Sequence, residues 1–271
     1  MKKTKKANVK KAARITKKDI YAQHGIAYSK GYIFCPFFNA WIRPLLVNGN
    51  KKIGKGAYHF SILPGTAFYA VILFGIEYIV KGTCACNCTG CYAQTGNYRF
   101  PSVKNSLALR TLLVRNDLDF VKRAIIAQIK ADNIKICRIH AAGDFDNIAY
   151  ANIWHDIAKA FPGTVFWTYT KVKACENLFD DLSNANIVKS IIPGRGFNFG
   201  KCAYIIALYN ELKSKGYKVY ICECGFNDTR KCTDCCKCAL YDFVLFLEHS
   251  TDYNGKADIL YSVLKNIVEN Q

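Results

Sequence analysis

The sequence predicts an α/β fold built on a mostly parallel sheet, because strand-like and helix-like segments alternate through its second half. Three patterns support this fold class. Apolar residues recur at helical spacing in SLALRTLLVRNDLDFVKRAIIAQIKADN, IKICRIH alternates like a strand, and TVFWTYT is rich in β-branched and aromatic residues. The chain has 271 residues, of which 51% are hydrophobic, so it is long and apolar enough to bury a sizeable core.

Each segment is assigned from its own pattern. The apolar run TAFYAVILFGIEYIV is shorter than the about 20 residues that a membrane helix needs, so it predicts one or two buried strands. Residues 106–133 predict a helix with Asp117 and Asp119 near its positive end, whereas residues 20–60 predict no regular structure. The later segments predict, in order, a strand (IKICRIH), a loop (AAGDFDN), a helix (IAYANIWHDIAKAF), a strand (TVFWTYT), a helix (CENLFDDLSNAN), a strand (IVKSIIP), a helix that ends at Gly216 (AYIIALYNELKSKG) and a strand (YKVYICE).

The positive charge is concentrated at the N-terminus. The formal net charge is +18, and the first 18 residues, MKKTKKANVKKAARITKK, hold nine of the 38 Lys and Arg residues and no acidic residue. We expect residues 1–19 to form a basic, disordered tail and residues 20–271 to form a single domain that includes the cysteine-rich segment 222–238. The tail is either a solvated segment that aids solubility or an arm that binds nucleic acid or another polyanion.

Ten of the fourteen cysteines fall in two tight groups. Neighbouring thiols of this kind are poor disulfide partners, and no apolar segment follows the basic N-terminus as it would in a secretory signal. We therefore expect a protein that is neither secreted nor bound to a membrane, and that works in a reducing compartment where such groups bind metal. The four isolated cysteines predict small buried residues, namely Cys35, Cys137, Cys175 and Cys202.

The first cysteine group is CACNCTGC, which contains Cys84, Cys86, Cys88 and Cys91. Three of its thiolates, at C-x3-C-x2-C or C-x-C-x2-C spacing, suit one corner of a 4Fe-4S cluster and leave the fourth iron open to a small molecule. Four thiolates would close the site, and they would also suit tetrahedral zinc.

The second cysteine group lies in ICECGFNDTRKCTDCCKC. Cys232, Cys235 and Cys238 have the C-x2-C-x2-C spacing of ferredoxins, which requires a fourth ligand from Cys222 or Cys224. Cys236 is then a spare or neighbouring thiol. Zinc is the alternative here too, because pairs of C-x2-C are common in zinc ribbons.

Loops that follow the carboxyl ends of parallel strands share one face of the sheet, where sites form. We therefore expect the segments after EYIV, CRIH, FWTY and VYIC to lie on one face, and both cysteine groups with them. Three residues in these loops each have two interpretations. His140 is either beside a cluster or a core histidine, and Lys171 either meets a carboxylate or phosphate or is solvated. Asp144 either binds a cofactor, or it caps the helix near Ile148 or simply turns the loop.

The C-x3-C-x2-C spacing after a strand resembles the radical S-adenosylmethionine superfamily. There, three cysteines hold a 4Fe-4S cluster whose open iron binds the cofactor's amino and carboxylate groups, and a Gly-rich acidic stretch after the second strand contacts its amino group. By this resemblance, Gly143 and Asp144 would contact S-adenosylmethionine, with His140 and Lys171 as further candidates.

A second resemblance covers most of residues 55–250. The segments FSILPG, CYA, RIHAAGDF and FWTYTK, with a later group of cysteines followed by His249, are similar to the virus-encoded gene product 88 family. The resemblance implies an iron–sulfur protein on a partial TIM-like (β/α) barrel, in the host cytoplasm or packaged in the virion. It implies Cys84, Cys88 and Cys91 as ligands of the first site and favours Cys222 as the fourth ligand of the second.

Two classes of function follow from these patterns. The first is a redox-active iron–sulfur protein with one or two clusters, working either in electron transfer with a donor protein or in S-adenosylmethionine chemistry. The second is a zinc-stabilised protein that binds nucleic acid or is a structural component of the virion.

Overall fold

The computed structural model describes residues 15–49, 53–85, 88, 91–189, 199–200, 202–222, 231–247 and 259–270. The first elements along the chain are short. They are α1 (Lys17–Gln23), β1 (Tyr28–Ser29), β2 (Tyr32–Cys35), β3 (Ala40–Ile42), β4 (Val47–Asn48) and β5 (Ala57–His59). The expectation of no regular structure in residues 20–60 is therefore wrong.

The longer elements follow. They are β6 (Phe68–Leu73), β7 (Ile76–Lys81), α2 (Pro101–Asn116), α3 (Leu118–Asp132), β8 (Ile136–Arg138), α4 (Ile148–Ala160), β9 (Val165–Thr170), β10 (Ala185–Lys189), β11 (Phe199–Gly200), α5 (Cys202–Ser214), β12 (Val219–Ile221), α6 (Cys232–Cys235), β13 (Phe243–Leu247) and α7 (Ile259–Glu269). Helices and strands are mixed along the chain, and the predicted α/β class is confirmed, although in the described part of the chain strands β1–β7 and β9–β11 follow one another without an intervening α-helix.

The start of the described chain is fixed by a capping box. The Thr16 hydroxyl accepts from the Asp19 backbone N–H, and the Asp19 carboxylate accepts from the Thr16 N–H at 2.9 Å. Such reciprocal bonds satisfy two free donors at a helix N-terminus. Most of the predicted basic tail, residues 1–14, lies outside the described residues.

The central sheet has the order β10-β9-β8-β5-β4. β5, β8, β9 and β10 run parallel, with Ile136 paired to both Ala57 and Val165, while β4 runs antiparallel to β5 at the edge. Parallel strands of this kind are buried on both faces. The core beneath the sheet includes Phe60, Trp154 and Phe166.

A second parallel sheet has the order β11-β13-β12, so the last strand of the chain lies in its centre. The Lys189 N–H donates to the Asp242 carbonyl at 2.9 Å, which brings the end of β10 to the start of β13. Sequence reasoning missed β13 altogether. Because β13 precedes β12 in the spatial order, the strands do not follow the sequential order of a (β/α) barrel. The described strands form no closed barrel, and the partial barrel stays a prediction.

The apolar run before the first cysteine group forms the antiparallel hairpin β6–β7, outside the parallel sheets. One face, with Val71, Leu73 and Val80, packs against α2. The other face is open: Phe68, Ile72 and Ile79 expose 69%, 64% and 65% of their surface. The prediction of strands is confirmed, but the prediction of burial is wrong for this face, because the hairpin packs on one side alone.

Two predicted helices differ in the structure. Residues 106–133 form α2 and α3 rather than one helix, because the chain leaves helical geometry at Asp117. The segment CENLFDDLSNAN forms no helix: it starts at the last residue of a 3-10 turn (Lys173–Cys175), continues as turns, and enters β10 at Ala185. Its Asn184 side chain donates to the carbonyls of Ala158, Phe161 and Thr164, each at 3.0 Å, and thereby ties the loop to the end of α4.

Other predicted elements agree. α4, β9 and β12 lie within the expected segments, whereas β10 begins two residues before IVKSIIP, and the part of that segment beyond Lys189 is outside the described residues. Helix α5 ends before Gly216, which has a left-handed φ of 83°. Among the described helices, none is both long and apolar enough to cross a membrane.

Asp117 offers a direct test of the break between α2 and α3. Its carboxylate accepts from the Phe120 N–H at 3.1 Å and caps α3. We expect Asp117→Ala to lower the free energy of unfolding by about 1 kcal/mol, as measured by chemical denaturation. Asp119→Ala is the control: it removes an exposed pair with Arg123 in the same turn, and we expect a loss of about 0.3 kcal/mol. Equal losses in the two variants would contradict the capping role of Asp117.

Candidate functional site

Three loops meet at a pocket that contains the described cysteines of the first group. They follow β7, β8 and β9, so the pocket bears out the expected common face for three of the four segments. The fourth segment, after VYIC, lies outside the described residues beyond Cys222. The cavity volume of the pocket is about 60 Å³, and about 530 Å³ of space is reached when the open mouth is counted. Its lining comprises Pro64, Cys84, Cys88, Cys91, Ala93, Arg138, His140, Ala141, Ala142, Gly143, Asp144, Tyr169, Thr170 and Lys171. We call it the cysteine pocket.

The cysteine loop is held by backbone bonds to the segment before β6. The N–H of Thr83 donates to the Leu63 carbonyl at 2.9 Å, and the N–H of Cys84 donates to the Gly65 carbonyl at 3.1 Å. Gly82 lies so close to this segment that a Cβ there would be 2.3 Å from the Gly65 oxygen. The first thiol is therefore fixed by main-chain contacts.

Arg115 of α2 joins the cysteine loop to the loop after β8. Its guanidinium donates to the carbonyls of Lys81 and Gly82 at 2.8 and 3.3 Å. It also makes a two-pronged contact with the Asp146 carboxylate, at 2.9 and 2.6 Å. Bidentate pairs of this kind fix orientation as well as distance.

Asp144 joins three segments from a buried position. Its Oδ1 accepts from the Thr170 hydroxyl at 2.7 Å and from the Phe145 N–H at 2.8 Å, and its Oδ2 accepts from the Lys171 N–H at 2.8 Å. Its own N–H donates to the Thr83 hydroxyl at 3.2 Å. Burial raises the pKa of this carboxyl, while the three donors oppose that shift.

Asp144 does not cap α4, so that alternative is wrong. Asn147 is the N-cap residue, and its side-chain oxygen accepts from the Tyr150 N–H at 2.9 Å. The carboxylate of Asp144 lines the cysteine pocket instead.

Gly143 permits the close approach of these loops. Its φ is 82°, and a Cβ there would lie 2.6 Å from Ile62 Cγ1, 2.8 Å from the Ile62 oxygen and 2.9 Å from the Thr83 hydroxyl. Both the left-handed backbone and the lack of space require glycine.

Polar groups contact all three described thiols, and those of Cys91 are the backbone N–H groups of Ala93 and Gln94. The Gly65 N–H donates to Cys84 Sγ at 3.1 Å, and the Lys171 ammonium donates to Cys88 Sγ at 2.6 Å. Burial raises the pKa of Cys84 to about 12 and raises that of Cys91 as well. A bound cation would reverse this effect of burial, since coordinated thiols are deprotonated.

His140 is a satisfied core histidine that also borders the pocket. Its ring contacts the Tyr150 hydroxyl at 2.9 Å and the Thr168 hydroxyl at 3.2 Å. Burial lowers its pKa to about 3, with a smaller effect from Arg138, so the ring is neutral.

The described cysteines of the second group are divided between two apolar clusters. Cys222, at the end of β12, packs with Cys235 and Cys238. Cys232 packs against another cluster, which contains Ile53. Cys236 has a left-handed φ of 47°, and its thiol contacts the Cys232 carbonyl at 3.4 Å.

Tyr169 forms a wall between the two cysteine groups. It lines the cysteine pocket, and its hydroxyl lies 2.9 Å from Cys238 Sγ. The Arg138 guanidinium, which also lines the pocket, lies 5.2 Å from the centre of the tyrosine ring. The two groups are therefore neighbours on one rim of the fold.

The comparison with known families matches residues 2–192 to the family described as gene product 88. The chain belongs to the gene product 88 family. No curated protein and no solved structure matches it. The family range includes the whole cysteine pocket and ends before the second cysteine group. The likeness of that second group to the gene product 88 family therefore stays a prediction.

Some predicted site residues lie outside the described part of the chain, namely Cys86, Cys224 and His249. Among the residues that are described, no group of three or more His, Cys, Asp and Glu side chains is found that could hold a metal ion. The metal role of both cysteine groups stays a prediction. Three isolated cysteines, Cys35, Cys137 and Cys175, are buried as expected, and the side chain of Cys202 is not described.

Sequence reasoning missed Arg115 and Tyr169. Arg115 lies in the last turn of α2, where a basic residue is common on the exposed side of a helix. The neighbouring sequence therefore gives no sign that it joins the two loops. Tyr169 could be placed by its position at the end of the strand FWTYT, two residues before Lys171.

Gly143→Ala tests the close approach at the pocket. We expect it to lower the free energy of unfolding by about 1–3 kcal/mol, since the new methyl group adds both backbone strain and a clash. Gly163→Ala is the matched control, because a Cβ there meets no atom within 4 Å. Thermal and chemical denaturation measure both variants. A Gly143→Ala protein as stable as Gly163→Ala would show that the loops do not meet as described.

Proposed function

We propose that this protein binds an iron–sulfur cluster through Cys84, Cys88 and Cys91 and uses it in redox chemistry with a small molecule bound in the cysteine pocket. The observation that carries the proposal is the convergence of these three thiols with a buried carboxylate, Asp144, around a single pocket. A purely structural metal site has no need of such a pocket beside it.

The donor set fits an iron–sulfur cluster. Sulfur ligands are what such clusters take, and hydrogen bonds to those sulfurs tune their reduction potential. The Gly65 N–H and the Lys171 ammonium already donate to Cys84 and Cys88. When bound, the cluster would supply single electrons, and it would require an electron donor protein as partner.

Asp144 is suited to bind a cationic group of the small molecule. Its Oδ1 accepts two bonds, whereas its Oδ2 accepts one from the described residues, which leaves capacity for a further donor. A carboxylate held by three donors keeps its orientation before the ligand arrives. An ammonium group, such as that of S-adenosylmethionine, has the matching charge.

The other polar residues have supporting roles. Lys171 contacts Cys88 and offsets negative charge at the thiolates. The neutral ring of His140 orients the loop after β8 through its bonds to Tyr150 and Thr168. Neither role requires a proton to move.

For the second cysteine group we propose a second metal centre with Cys222, Cys235 and Cys238 as ligands. These three residues pack in one cluster beside Tyr169, which supports the assignment. Cys232 belongs to the same C-x2-C-x2-C pattern and would complete the set, although its side chain packs in the neighbouring cluster.

The metal content tests both centres. Full-length protein purified without oxygen should contain iron and acid-labile sulfide in similar amounts. We expect Cys91→Ala and Cys235→Ala each to lose about half of the iron, since each removes a ligand of one centre. Cys35→Ala is the control, because this cysteine is buried in the core and belongs neither to the lining of the cysteine pocket nor to the cluster of Cys222, Cys235 and Cys238. Iron that is unchanged in Cys91→Ala would remove the first centre, and zinc without sulfide would favour a zinc-stabilised nucleic-acid-binding or virion protein.

The open position is tested with S-adenosylmethionine. Adding it to the reduced protein should change the electron paramagnetic resonance spectrum, because a cluster with three protein ligands has one iron free to bind it. The Cys235→Ala variant should respond in the same way, whereas Cys91→Ala should not. An unchanged spectrum in iron-loaded wild-type protein would reject this ligand and leave electron transfer as the function.

A further inference from the structure

A second pocket adjoins the cysteine pocket on the side of the hairpin β6–β7. Its cavity volume is about 330 Å³, and it shares Pro64 and Ala93 with the cysteine pocket. Its size lies in the range of small-molecule sites. We call it the hairpin pocket.

Two cationic side chains line the hairpin pocket. Arg99 ends the 3-10 turn before α2, and Lys104 lies in the first turns of α2. Within the described residues, neither cation forms an ion pair, and the lining contains no Asp or Glu. Arg99 donates to a backbone oxygen alone, that of Gln94, at 3.4 Å. Two unpaired cations in one concave site attract an anion.

The rest of the lining suits a planar ring. Tyr69 and Tyr98 are half-buried in the wall, and Leu63 and Leu107 form a buried apolar floor. The Tyr69 hydroxyl donates to the Pro64 carbonyl at 2.9 Å, which fixes its ring. Tyrosine rings on such a wall are the usual platform for a nucleobase.

We propose that the hairpin pocket binds a nucleoside monophosphate, with its phosphate on Arg99 and Lys104 and its base against Tyr69 and Tyr98. The same chemistry is presented by a free mononucleotide and by the 5′-phosphorylated end of a nucleic acid strand. The bound nucleotide lies beside the cysteine loop, because Ala93 follows Cys91 by two residues and borders both pockets. The site is a property of the polypeptide and does not depend on a cluster.

Isothermal titration of the full-length protein with adenosine monophosphate tests the proposal. We expect binding that weakens about tenfold or more in the double variant Arg99→Gln, Lys104→Gln, because two charge-assisted contacts are lost. The control is the double variant Arg43→Gln, Lys55→Gln, which removes the same charge from exposed positions outside the pocket and keeps the basic N-terminus intact. Its affinity should equal that of the wild-type protein.

Two further titrations define the ligand. Tyr98→Leu should weaken adenosine monophosphate roughly fivefold or more and leave inorganic phosphate unaffected, since the base alone contacts the ring. A 5′-phosphorylated oligonucleotide that competes at the same site, more tightly than the mononucleotide, would identify a strand end as the source. Adenosine that binds as tightly as its monophosphate, or a mononucleotide that does not bind at all, would overturn the proposal.

Discussion

The hydrogen bonds of Asp144 are the constraint on which the site depends. This one residue connects the loop after β8 to Thr170 and Lys171 at the end of β9, and to Thr83 beside the first cysteine group. A buried carboxylate is costly unless its oxygens are satisfied, so the three segments are held at fixed separations. The glycine before it is required because only a residue without Cβ allows the approach to Ile62.

The cysteine loop lies beside the loops after β8 and β9, although it does not follow a strand of the same sheet. It leaves an antiparallel hairpin, not a strand of the parallel sheet, and it is tied to the sheet by Arg115 and by backbone bonds to residues 63–65. The thiols therefore lie at the carboxyl ends of β8 and β9 without belonging to the sheet. The same arrangement leaves a space between hairpin and α2, which is the hairpin pocket. Both cavities therefore lie beside the hairpin β6–β7 and the loop that follows it, which stand outside the parallel sheet.

The sequence predicted the meeting of the three loops but not the contacts that hold them. Strand periodicity and the general geometry of parallel sheets suffice to bring His140, Asp144 and Lys171 to one face. Arg115 acts across 31 residues of chain to reach Asp146, and no local pattern encodes such a pair. The hairpin was misjudged as fully buried because its exposed face carries Phe68, Ile72 and Ile79, which outweigh the charges of Glu77 and Lys81 on the same face in the overall apolar pattern.

The two cysteine groups differ in how closely they are tied to the family. Every residue that lines the cysteine pocket falls within the matched range 2–192, and every cysteine of the second group falls outside it. The range that the family model matches therefore contains the first group and its loops and not the second group. Tyr169 belongs to the matched range and lines the cysteine pocket, yet its hydroxyl contacts Cys238. The second group therefore packs against a residue that also forms part of the first site. The Tyr169 ring and the Arg138 guanidinium beside it therefore lie between the second group and the cysteine pocket, and both line that pocket.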